Sequence, residues 1–208
     1  MIKKEKLLIL ILIVFYSVGI VGTHIKAYQS NFFSLSYFNL LLSFTILFLA
    51  RKENNVAFLF FLVFSFLVGM AVELIGVHTG LLFGNYHYDN NLGIKFFEVP
   101  LVIGLNWGLL TAVSASVVNR FFEKVNVKIV LGAILMTAFD FLMEPVAIKS
   151  GFWTWTDGEI PLYNYVCWML ISLVLQSVFV KFKLSETNKV NDVLLVMMTI
   201  FFITLNVF

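Results

Sequence analysis

Two carboxylates, Asp140 and Glu144, stand inside the apolar run AFDFLMEPVAIKSGFWTW, residues 138–155. A spacing of four puts them on one face of a helix, one turn apart. A third acid, Glu73, lies in a second apolar run, FFLVFSFLVGMAVELIGVH, residues 60–78. Each acid costs about 2.5–3.5 kcal/mol to place in hydrocarbon, a cost rarely met without a use. Carboxyls in apolar surroundings keep their protons near neutral pH, and two close together share a proton more readily than both ionise. A proton donor beside a carboxylate acceptor is what general acid–base chemistry requires. Asp140, Glu144 and Glu73 are therefore candidates for donating a proton to an apolar substrate. Interhelical hydrogen bonding by a protonated acid is the competing account, strongest for Glu73. Gly69 and Gly76 share the Glu73 stripe and allow a neighbour to approach closely.

Aromatic residues fit the same chemistry. Protonating an alkene makes a carbocation, and indole faces attract cations. Trp153 and Trp155 follow the acidic run, alternating with Thr154 and Thr156, and Trp107 and Trp168 lie in neighbouring apolar runs. An interfacial aromatic belt is the other explanation for the first pair, and packing for the second. His78, Tyr86, His87, Tyr88 and Asp89 cluster in one connection, where they can position water or bind metal. Metal is the weaker idea: membrane di-iron sites need closely spaced histidine clusters, and His24, His78 and His87 are scattered. No metal and no cofactor is expected, and there is no phosphate loop or dinucleotide fingerprint. The last apolar run lacks lysine, which excludes a retinal Schiff base there. Asn106 and Asn164 read first as capping or interhelical groups. Asn164 is also a candidate for substrate contact.

The elements that must position these groups are membrane helices. The 208 residues are 61% hydrophobic and 12% charged, roughly half the charge fraction of a soluble domain. The expected fold class is all-α, a polytopic membrane protein of about seven transmembrane helices. Candidate spans are Leu7–Val21, Leu35–Leu49, Val56–Val77, Val99–Val118, Val127–Ile148, Leu162–Val180 and Val193–Val207. The second and seventh are short against the roughly 20 residues a span needs. Pro145 removes a backbone donor and predicts a broken helix beside Glu144. Lys3, Lys4 and Lys6 before the first run suggest a signal peptide, but no small-residue cleavage site follows.

Cations set the orientation. With a cytoplasmic N-terminus, 11 of 14 fall inside: Lys3, Lys4, Lys6, Arg51, Lys52, Arg120, Lys124, Lys128, Lys181, Lys183 and Lys189. Only Lys26, Lys95 and Lys149 fall outside. The two richest connections, His78 to Glu98 and Lys149 to Pro161, are then external. By helical rise, the three acids occupy one layer about 6–12 Å below the outer helix ends. A net charge of +2 gives no argument for nucleic acid. The lone Cys167 allows no internal disulfide. No repeat or linker divides residues 1–208, which are expected to form a single membrane domain in the cell membrane, in contact with lipid. The oligomeric state is not legible.

Several of these motifs resemble a known family. The run ELIGVHTGLLFGNYHY (residues 73–88), Val99-Pro100, Asn106-Trp107, DFLMEP (residues 140–145), FWTW (residues 152–155) and IPLYNYVCW (residues 160–168) are similar to the carotenoid-biosynthesis membrane hydratases, of the bisanhydrobacterioruberin and gamma-carotene hydratase type. The resemblance covers roughly residues 55–170. It implies addition of water to the terminal double bond of an acyclic carotenoid end, giving a tertiary alcohol. The substrate it implies is lycopene-like, gamma-carotene-like or a bacterioruberin precursor, and no redox cofactor is needed. In that reaction the second carboxylate, Tyr86 or His87 would orient the water. A prenyl-chain cyclase also starts by alkene protonation but excludes water. A proton-coupled transporter would use the acids as a relay, yet the inner halves of the spans carry almost no ionisable groups.

Overall fold

The structure, a computed structural model, describes residues 2–52 and 56–207. Apolar runs become the helices α1 (Ile2–His24), α3 (Ser36–Ala50), α4 (Val56–Thr79), α5 (Leu101–Phe121), α6 (Val125–Lys149), α7 (Leu162–Lys181) and α8 (Lys189–Val207). A short helix α2 (Gln29–Ser34), which the sequence did not suggest, precedes α3. Among the described residues, six helices are long and apolar enough to cross a membrane. The seventh, α3, has 15 residues and reaches only about 22 Å at the helical rise. The protein is all-α and multi-pass.

The expected break at Pro145 does not occur. Helix α6 continues through Pro145 to Lys149. Proline has a helical φ, so α6 runs on through it at the loss of one backbone bond, the one that residue 145 would give to the Phe141 carbonyl. Pro100 and Pro161 stand immediately before the first residues of α5 and α7, where a missing N–H has no consequence.

Helix α5 is the central element, with 83% of its apolar window buried. It packs against α3, α4, α6, α7 and α8. Gly104, Gly108, Ala112, Ser114, Ala115 and Ser116 keep its surface thin enough for five neighbours. Helix α1 lies outside this centre, against α3 and α8.

The two ends of the bundle differ in chemistry. At one end Arg51 pairs with Glu186 (3.8 Å) and Arg120 with Asp192 (2.5 Å). Ser116 Oγ donates to the Glu186 carbonyl (2.7 Å), and Lys128 to Asn119 (2.5 Å). The long connections form the opposite end. There β1 (Tyr86–Tyr88) pairs antiparallel with β4 (Trp153–Trp155). β2 (Lys95–Phe96) pairs with β3 (Val99–Pro100) around Phe97 and Glu98, both at positive φ. Two positive φ values in a two-residue loop match the twist of a tight hairpin.

Candidate active site

The β1–β4 ribbon turns sequence alternation into a site. Tyr86 faces Trp155, His87 faces Thr154 and Tyr88 faces Trp153. Alternate residues of a strand point to opposite faces. Tyr86, Tyr88, Trp153 and Trp155 are accordingly buried, while His87 and Thr154 are exposed. The ribbon is a lid with four polar-tipped aromatics on its inner face.

Two glutamates receive those tips. Tyr86 and Tyr88 donate their hydroxyls to Glu73 Oε2, at 2.5 and 2.8 Å. Trp107 Nε1 donates to Glu73 Oε1 at 3.1 Å. Trp153 and Trp155 donate their indole N–H groups to Glu144 Oε2, both at 2.9 Å. Burial, then the Glu73 carboxylate, pushes the phenols of Tyr86 and Tyr88 well above their usual range, so both remain neutral donors.

Asp140 is held differently. Asn164 Nδ2 donates to Asp140 Oδ2 at 2.9 Å and to Glu144 Oε1 at 3.3 Å, linking the two acids of α6. Among the described residues, Asp140 Oδ1 is buried and has no hydrogen-bond partner. Asp140, Glu144 and Glu73 line one cavity of about 30 Å³ with Asn106, Asn164 and Met143. That volume holds about two waters. The rest of its wall is largely aromatic, with Phe83, Tyr86, Tyr88, Trp153, Trp155 and Trp168 beside Ile103. Trp168 stacks on Trp107, ring centroids 3.9 Å apart.

Small residues on α4 make room for this arrangement. A Cβ on Gly69 would lie 2.5 Å from Trp107 Cδ1, and one on Gly76 would lie 2.8 Å from the Tyr86 hydroxyl. The stripe Gly69–Glu73–Gly76 thus admits aromatic side chains, one turn either side of the acid they bind.

Of the sequence candidates, the structure brings together Asp140, Glu144, Glu73, Trp153, Trp155, Tyr86, Trp107, Asn164 and Trp168. It does not bring His78 and His87 to the cavity. His87 points outward toward Asp89 (3.7 Å), because it occupies the outward position of β1. His78, exposed at the end of α4, bonds the Phe97 carbonyl (3.1 Å) and braces the hairpin. Asn106, read as a capping or interhelical group, lines the cavity instead, three residues from Ile103 on the same face. Met143 was missed, although positions 140, 143 and 144 share one helical face. No group of three or more His, Cys, Asp or Glu able to hold a metal occurs among the described residues.

Comparison with known families matches residues 33–208 to the carotenoid biosynthesis proteins. The chain belongs to that family. No curated protein and no solved structure matches it. The family match covers both strands of the lid and all three acids.

Proposed function

We propose that the protein is a carotenoid hydratase that adds water to the terminal trisubstituted alkene of an acyclic end group, in the outer half of the cell membrane. The reading is carried by Asp140, which lines the cavity and whose buried Oδ1 has no hydrogen-bond partner among the described residues. An acid proton needs such an oxygen. Glu73 and Glu144 each accept from three donors, which suits acceptors. Asn164 donates to Asp140 Oδ2, which suits Oδ2 as the carbonyl oxygen and Oδ1 as the oxygen that carries the proton.

In this mechanism the Asp140 Oδ1–H bond breaks and its proton joins the less substituted alkene carbon. The alkene π pair forms the new C–H bond, leaving a tertiary cation. Indole faces of Trp153, Trp155 and Trp168 stabilise that cation. Water then forms the C–O bond and gives a proton to Glu144, which returns it to Asp140 through water in the cavity that both acids line. The sum is alkene plus water to tertiary alcohol, with the enzyme unchanged. Asp140, Glu144 and Glu73 are the proposed catalytic residues, with Glu73 fixing the tyrosine side of the lid.

Expression in a lycopene-producing host tests the reading. Hydration adds the mass of one water per reacted end. Cyclisation, the second reading, leaves the mass unchanged and would overturn the first.

A further inference from the structure

The carboxylate cavity does not stand alone. A second hollow, about 50 Å³, shares Ile103, Asn106, Met143 and Trp153 with it. A third, about 330 Å³, shares Ser36, Asn39 and Phe201 with the second. The third is bounded by α1, α2, α3 and α8, and its rim residues Phe15, Val18, Leu35 and Phe38 are each about half exposed. Three hollows with shared walls thus run from the bundle surface to Asp140.

The middle hollow is predominantly apolar, walled by Leu40, Leu92, Phe139, Met198 and Phe202 among others. Tyr16, Ser36, Asn39 and Asn106 add polar groups to a wall that is otherwise hydrocarbon. The partitions are side chains, Met143 on the inner wall and Phe201 on the outer. Met143 is unbranched and readily changes rotamer. Rotation of these two side chains would join the hollows into one passage.

We propose that this passage seats the polyene chain of the substrate. A linear carotenoid enters from lipid between α1 and α3, lies along the hollows, and delivers its end to Asp140. The chain is roughly as long as the hydrocarbon core is thick, about 30 Å, so its far portion remains in the membrane. The seat deepens the hydratase reading and rests on it for the identity of the occupant.

Gly19→Phe tests the seat. A Cβ at Gly19 meets only Phe201 Cε2, at an ordinary 3.6 Å, and Gly19 lines the outer hollow, so the substitution is aimed at that space. Two readouts use the purified full chain in lipid discs: turnover, and quenching of tryptophan fluorescence by lycopene. Lycopene turnover is expected to fall at least about tenfold, equivalent to about 1.4 kcal/mol, and quenching to weaken in parallel. A terpene of two isoprene units with the same terminal alkene ends short of Gly19 when bound, and its turnover is retained, which also reports that the variant folds. Wild-type turnover and quenching of lycopene in Gly19→Phe would overturn the seat and leave hydration standing. Quenching that Gly19→Phe abolishes, with no wild-type hydration, would support the seat and overturn the hydratase. No quenching of the wild-type protein would overturn the seat.

Discussion

Tyr86 and Trp155 lie directly opposite each other across the β1–β4 ribbon, ring centroids 5.2 Å apart, yet their polar tips serve different acids. The phenol donates to Glu73 on α4 and the indole to Glu144 on α6. A single pair of facing aromatics therefore ties two helices and two carboxylates to one lid. Removing either tip leaves a buried acceptor short of a donor, at a cost of about 1–3 kcal/mol. Tyr86→Phe and Trp155→Phe should each lower the thermal midpoint. Because the residues touch, the double variant should depart from the sum of the singles by at least about 0.5 kcal/mol. Calorimetry on the four proteins checks this, and strict additivity would argue against a shared lid.

Asp140→Asn keeps the shape and removes the acid. Turnover should drop about 10²–10⁴-fold, the usual contribution of a positioned proton donor. Glu144→Gln should also slow turnover, since the amide cannot take the proton from water. Initial rates on lycopene measure both.

Gly69→Ala places a methyl group against Trp107. Overpacking of this kind costs about 1–3 kcal/mol, and it pushes the indole away from Glu73. Loss of stability together with loss of turnover is expected. An unchanged Trp107 environment, read by fluorescence in a Trp107-only background, would count against it.

Tyr86 and Tyr88 should stay un-ionised at pH 10, the pH at which an unperturbed phenol is half ionised, because burial and Glu73 both oppose the phenolate. Their neutral form is the donor to Glu73, so this contact persists as pH rises to that value and is lost only above it. Ultraviolet difference titration of wild type against the Tyr86→Phe/Tyr88→Phe double variant checks this. A difference in phenolate signal at pH 10 would contradict it.

His87→Ala should leave turnover nearly unaltered. The side chain is exposed and its Asp89 partner lies at 3.7 Å, so the change is worth no more than about 0.5 kcal/mol. A large loss of activity would mean that His87 reaches the substrate.

Much of this architecture was legible in the sequence because hydrocarbon leaves few options. Acids at 73, 140 and 144 in apolar runs were expensive enough to stand out, and the Gly69–Glu73–Gly76 stripe marked a close approach. The lid was less visible. Tyr86-His87-Tyr88 and Trp153-Thr154-Trp155 each alternate with the period of a strand, but each is only three residues long and they lie far apart in the chain. Strand pairing at that separation is decided by tertiary contacts, so the outward placement of His87 could not be read in advance. Asn106 stood out as a polar residue but read as a capping or interhelical group, and Met143 was hidden because its side chain is ordinary in a span; only the cavity gives them this role. Pro145 misled for a local reason, since its fixed φ is helical and the helix gives up only one backbone bond to carry it.

The central claim is that Asp140 hands a proton to the alkene and that water supplies the oxygen. Purified protein should be incubated with lycopene in heavy water labelled with heavy oxygen, and the product examined by mass spectrometry. The wild-type product should carry one solvent deuterium on the carbon beside the new alcohol, and one solvent oxygen, per hydrated end, while Asp140→Asn gives almost no product. A labelled tertiary alcohol formed by Asp140→Asn at the wild-type rate would contradict the role of Asp140, and a wild-type product without solvent oxygen would contradict hydration.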